Sequence, residues 1–163
     1  MRRRTLSILC SLTLLGTIVG SCMNVSAVQN EKVIDGSRLT TNEESVGVTP
    51  SSLTRGEHLM TGECSISKAG TKRVYTYGAT TANHTVDYLA VIVYVDQYNE
   101  EVERWEQIDA WAQRGNDDYF ICTSKSITVD RGYYYRVHAD HLVTKDGVDE
   151  ETFSYTNGIL VPK

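Results

Sequence analysis

Hydrophobic and polar positions divide the chain into three stretches. In the first, Arg2, Arg3 and Arg4 precede an apolar run from Leu6 to Val19, which leads to Val25-Ser26-Ala27. A positive start, an apolar run shorter than the ~20 residues of a membrane span and a small-residue site read as a secretory signal peptide over residues 1–27, cut after Ala27. In the second stretch, residues 28–54, Gln, Asn, Glu, Thr and Ser dominate, and the few Val and Ile keep no sustained period. It reads as a flexible polar spacer. The third, residues 55–163, carries short apolar runs between turn residues, the texture of one folded domain.

Within that domain the period is two, which predicts strands. A short strand runs from Glu63 to Ser67, with Cys64 and Ile66 on one face, and Lys68-Ala69-Gly70-Thr71 makes a turn. A second strand covers Lys72 to Tyr77, and Gly78 marks a bulge or a close backbone approach. Val86 to Tyr98 is the strongest strand, and its stretch from Leu89 to Val95 is apolar on both faces, as in a central strand. Tyr119–Val129, Tyr133–Val143 and Phe153–Val161 complete the set. The segment from Asn99 to Arg114 fits two patterns. Asn99 could cap a helix with Val102, Trp105, Ile108 and Ala112 on one face. As a strand it would return from Tyr98 as a hairpin, and the all-β surroundings favour that reading. Short, regularly spaced strands predict a sandwich or barrel.

Composition narrows the function classes. The 163 residues carry a formal net charge of −5, which becomes −8 once the three signal-peptide arginines are removed. An acidic chain disfavours nucleic-acid binding. No apolar run after residue 27 is long enough to span a bilayer. Ten Tyr against 2 Phe and 2 Trp is an aromatic set suited to half-buried sheet surfaces. Val19-Gly20-Ser21-Cys22 resembles a bacterial lipobox. Cleavage there would lipidate Cys22 and make the protein a cell-envelope lipoprotein in place of a freely secreted one.

Gly132-Tyr133-Tyr134-Tyr135-Arg136-Val137 resembles the penultimate strand of fibronectin type III and other immunoglobulin-like domains. That resemblance implies an immunoglobulin-like β-sandwich of about seven strands, with Tyr133 as the tyrosine corner. The domain also resembles a family of small secreted proteins of Gram-positive bacteria known only as a domain of unknown function. The matching pieces include Gly62-Glu63-Cys64-Ser65-Ile66-Ser67, Gly78-Ala79-Thr80-Thr81-Ala82, Trp105, Trp111, Ser124-Lys125-Ser126 and Ser154-Tyr155-Thr156-Asn157-Gly158-Ile159. The resemblance implies a secreted β-rich domain and carries no activity and no catalytic residue.

Chemistry-bearing residues are sparse. Cys64 and Cys122 survive export and form a disulfide if their Cα atoms come within ~7 Å; otherwise they are buried free thiols. His138 and His141, three apart on a strand, point to opposite faces and cannot make one metal site as a local pair. Asp146, Asp149, Glu150 and Glu151 lack the spacing of a calcium loop and read as a solvated turn. No nucleophile elbow, zinc motif or phosphate loop occurs, and no cofactor is implied. Tyr88, Tyr94, Tyr98 and Tyr134 make a candidate aromatic surface for a glycan or protein, set against ordinary cross-strand packing. The reading is a secreted, non-catalytic interaction module whose partner is an unidentified extracellular protein or glycan, with the Cys22-anchored lipoprotein as the alternative and an enzyme as a remote one.

Overall fold

Two strands of unusual length organise the fold. A computed structural model describes residues 32–50 and 56–163. The signal peptide, Ala27, Cys22 and the domain boundary at Arg55 lie outside the described residues. In chain order the strands are β1 (Val33–Ile34), β2 (Ser37–Thr40), β3 (Glu44–Val48), β4 (Leu59–Gly70), β5 (Arg73–Asn99), β6 (Arg104–Thr128), β7 (Tyr133–Lys145), β8 (Val148–Tyr155) and β9 (Gly158–Val161). They form one nine-stranded sheet in the order β1-β2-β9-β7-β5-β4-β3, with β6 added to β5 and β8 to β7. All pairings are antiparallel except β2 with β9, so the sheet is mixed.

The sheet curls because the β5–β6 hairpin folds in half. The register of β5 against β6 shifts between Thr81 and Val86. Before the shift the even residues of β5, Val74, Thr76 and Thr80, are buried; after it the odd ones are, Leu89, Val91, Val93 and Val95. The two halves then face each other. A Cβ on Gly78 would lie 2.6 Å from Val93 Cγ2, so only glycine fits where β5 packs on itself. One layer is therefore β3, β4 and the first half of β5 with the end of β6. The other is the second half of β5, the start of β6, and β7 with β8 and β9. The core between them holds Cys64, Ile66, Val74, Val91, Val93, Val95, Tyr135 and Val137. On the β6 side the gap is bridged by that strand's own halves: Lys125 Nζ meets Asp109 Oδ2 at 2.6 Å, and Trp111 Nε1 donates to Thr123 Oγ1 at 3.1 Å. Inward charges of this kind blunt a long free edge.

The architecture is all-β, as expected, and differs from an immunoglobulin-like sandwich of about seven strands. It is one sheet bent over itself, and β5 and β6 each run through both layers. The segment from residue 104 is strand, in line with the favoured reading, and 100–103 form the turn. Residues 32–50, read as spacer, instead supply β1, β2 and β3. Their buried residues are Gly47 and three that bear hydroxyls, which is why no apolar period betrays them. Ser37 Oγ donates to Thr156 O at 2.7 Å, Thr40 Oγ1 to Gly158 O at 2.9 Å, and Thr49 Oγ1 to Gly62 O at 3.2 Å.

Candidate functional site

The outer face of the first layer is built from three interlocking motifs. Successive residues on a strand alternate faces, so Ser65-Ile66-Ser67, Tyr75-Thr76-Tyr77 and Ser124-Lys125-Ser126 each send their first and third residues outward. The register aligns them: Ser67, Tyr75 and Ser126 share one row, and Ser65, Tyr77 and Ser124 the next. Val46 and Glu44 of β3 extend the two rows. Each tyrosine thus has serines on both sides, too short to cover its ring. Tyr75 is 40% exposed and Tyr77 half-buried, while Val46 and Val48 are exposed on β3, at the end of the Tyr77 row and of the row below it. The row below holds Glu63, Ala79 and Cys122. Burial at this row, together with the neighbouring Cys122 thiol and Glu63 carboxylate, pushes the Tyr77 phenol up to about 12, so it remains a hydrogen-bond donor at neutral pH.

The tyrosines expected to form a binding surface are not brought together in this way. Tyr98 is buried and packs on Trp105 with ring centroids 5.4 Å apart. Tyr94, half-buried, stacks on His138 at 4.6 Å and donates to Asp140 Oδ2 at 3.1 Å. Tyr88 and Tyr134 are also half-buried, Tyr88 level with Thr144 of β7 and Tyr134 paired to Leu160 of β9. The corner geometry expected of Tyr133 belongs to Tyr135. Tyr133 is 43% exposed, whereas Tyr135 is fully buried and its hydroxyl donates to Asp130 O at 2.9 Å. Both tyrosines share a face in sequence, and only the packing of β7 on β9 tells them apart.

Cys64 and Cys122 are both free. Cys64 pairs with Gly78 and Cys122 with Ala79, so the two lie on strands flanking β5 and point to opposite faces. Two strand spacings, ~10 Å, exceed the reach of a disulfide. Burial pushes the Cys64 thiol up to about 12. A thiol-reactive dye should therefore label Cys122 in the native protein and Cys64 only after unfolding. Equal labelling of both, or of neither, would contradict this arrangement.

The histidines separate as strand geometry requires: His138 faces outward and His141 inward. His141 Nε2 lies 2.8 Å from Ser154 Oγ and Nδ1 lies 3.0 Å from Thr80 Oγ1. The first distance is that of a Ser–His nucleophile pair, but both side chains have no exposed surface, so no substrate reaches them. His58 and His84 meet on the rim, Nδ1 to Nε2, at 3.2 Å. Glu150 takes up the backbone N–H groups of Glu57, His58 and Leu59. Among the described residues, no group of three or more His, Cys, Asp or Glu is placed to hold a metal ion. No helix there is long and apolar enough to cross a membrane.

A family model described as a family of unknown function, DUF6147, matches residues 29–159. The chain belongs to this family. No curated protein matches it. The DUF6147 span begins before β1, so the strands of residues 32–50 are part of the family's domain. It also contains both tyrosine rows and all their flanking serines.

Proposed function

We propose that the protein is an exported, non-catalytic binding module whose first-layer face takes an extracellular glycan of neutral, hydroxyl-rich chemistry. Export is supported by Arg2, Arg3 and Arg4, the apolar run to Val19 and the small-residue site ending at Ala27. The observation that carries the binding role is the pair of outward tyrosines, Tyr75 and Tyr77, each flanked by serines. Exposed rings offer flat apolar area, and serine hydroxyls both donate and accept hydrogen bonds, which suits a sugar ring with its apolar face and hydroxyl edge. The rows hold no lysine or arginine, so an anionic polymer finds no counter-charge within them.

Titration calorimetry with hexasaccharides of β-1,4-glucose and of β-1,4-N-acetylglucosamine tests this. At least one should bind, and Tyr75→Ala with Tyr77→Ala should weaken it by at least about tenfold while the variant keeps the β-sheet circular dichroism of the parent. If neither sugar binds, or if the double variant binds undiminished, the proposal fails. Binding of a protein through the same tyrosines would overturn the glycan while retaining the module.

A further inference from the structure

The outer face of the second layer, on the opposite side of the molecule, carries a groove of about 470 Å³ lined by Ile92, Asp140, Leu142, Glu151, Thr152 and Phe153. That volume is within the range of ordinary ligand clefts. The register explains its shape. Ile92, Asp140 and Phe153 form one row across β5, β7 and β8, and Ala90, Leu142 and Glu151 the next. On the β6 side the first row ends in Ala112 and the second in Arg114. Small alanines beside Ile92 and Leu142 leave a trough with an apolar floor. Asp140 sits mid-row and Glu151 on the outer strand, and none of the six lining residues is a cation.

The walls are held before anything binds. Asp140 Oδ2 accepts the Tyr94 hydroxyl at 3.1 Å, and the Tyr94 ring is fixed by its stack on His138. Phe153, 45% exposed, lies stacked with Tyr155 at 6.1 Å between centroids. His138 directs Nδ1 to Asp96 Oδ2 at 3.1 Å, so this ring nitrogen serves the Asp96 carboxylate and not the groove. Preorganised walls reduce the ordering cost of binding.

We propose that this groove is a docking site for a cationic side chain, lysine or arginine, presented by an extended basic peptide segment. The alkyl stem lies over Ile92 and Leu142. The charged head reaches Asp140 and Glu151, and the exposed Phe153 ring offers its face to the cation. Arg114 on β6 stands two strands from Asp140 and three from Glu151, so the two carboxylates and the net charge of −5 on the chain favour a basic partner over a neutral or acidic one. The site is independent of the tyrosine rows and stands whether or not a glycan binds there.

Amide-resolved NMR titration of the full domain with the peptide Ac-Ala-Ala-Lys-Ala-Ala-NH2, and with its norleucine and glutamate analogues, tests this. The lysine peptide should shift the amides of Ile92, Leu142 and Phe153. The norleucine peptide should bind about tenfold more weakly, and the glutamate peptide not at all. Asp140→Asn with Glu151→Gln should lower lysine-peptide affinity by about tenfold and abolish its salt dependence. Ile92→Lys, which places a tethered cation in the trough, should block the peptide. The proposal is overturned if norleucine binds as well as lysine, if the lysine peptide moves no groove amide up to millimolar concentration, or if its binding survives both sets of substitutions.

Discussion

Lowering the pH from 7 to 4 should remove about 3 kcal/mol of folding stability through one residue, His141. Its environment admits only the neutral ring. Thr80 Oγ1 donates its single proton to Ala90 O at 2.8 Å. It can then only accept from His141, so Nδ1 carries the hydrogen. Nε2 is left as an acceptor and receives the Ser154 hydroxyl at 2.8 Å. A Cβ on Gly62 would fall within the imidazole, so β4 lies flush against the ring and no water path opens on that side. Burial accordingly pushes His141 from 6.5 down to about 4.

The unfolded chain takes up a proton on this histidine as the pH drops through 6.5, whereas the folded chain resists until about 4. The stability is thus fully present above 6.5 and is lost progressively between 6.5 and 4. Urea unfolding followed by Trp105 and Trp111 fluorescence at several pH values reads it directly. His141→Asn should be less stable at pH 7 by roughly 2 kcal/mol, because Thr80 or Ser154 loses its partner. Its stability should fall less steeply over the same window. Parallel curves for the two proteins would show that His141 titrates normally and that the buried triad is not as described.

That triad was legible only in pieces. Strand geometry alone sends His138 and His141 to opposite faces, and the structure keeps them there. Nothing local shows that Thr80 and Ser154 would sit on either side of the imidazole, because they come from β5 and β8 and meet only through register. The same limit hid the fold's bend. Ala79-Thr80-Thr81-Ala82-Asn83-His84-Thr85 reads as a polar break between two strands. It is continuous strand because Thr80 is buried with its hydroxyl satisfied. Residues 32–50 were hidden likewise, since their buried positions are Ser37, Thr40, Gly47 and Thr49, none with a large apolar side chain. Hydrophobic period finds a strand that buries methyl groups and misses one that buries hydroxyls bonded to backbone carbonyls. The tyrosine rows had a visible signal: three motifs of the form Ser-x-Ser or Tyr-x-Tyr at strand period. Their alignment depends on the pairing of β4, β5 and β6, a non-local fact.

Replacing Asp96 by alanine should cost about 3–5 kcal/mol, the cost of leaving a buried cation without its partner. Asp96 and Arg136 face each other across β5 and β7, 3% and 8% exposed, with Nε to Oδ2 at 2.9 Å. Arg136 also donates to Ser37 Oγ at 3.1 Å and to Asp35 O at 3.3 Å, and its guanidinium lies 4.7 Å from the centre of the Trp105 ring. Trp105 in turn donates Nε1 to Ile34 O at 3.0 Å. One ion pair therefore fastens the β1–β2 hairpin to the sheet, and losing Asp96 should loosen residues 33–40 first. Hydrogen exchange at Arg38 and Leu39 would detect this.

The cost comes from the buried charge left unpaired, not from the lost attraction itself. Asp96→Leu combined with Arg136→Met should recover most of the loss, since an apolar pair avoids the desolvation of two charges. A double variant no better than Asp96→Ala would show that Arg136 acts mainly through Ser37, Asp35 and Trp105. The acid response separates this pair from His141. Burial alone would raise the Asp96 carboxyl, but the His138 and Arg136 contacts outweigh it and hold the group below its usual 3.8. Its contribution is therefore present above that value and lost only as the pH falls through the lower folded value. Between pH 6.5 and 4 the protein should weaken through His141 while the hairpin stays fastened. Selective release of residues 33–40 at pH 5 would contradict the assignment.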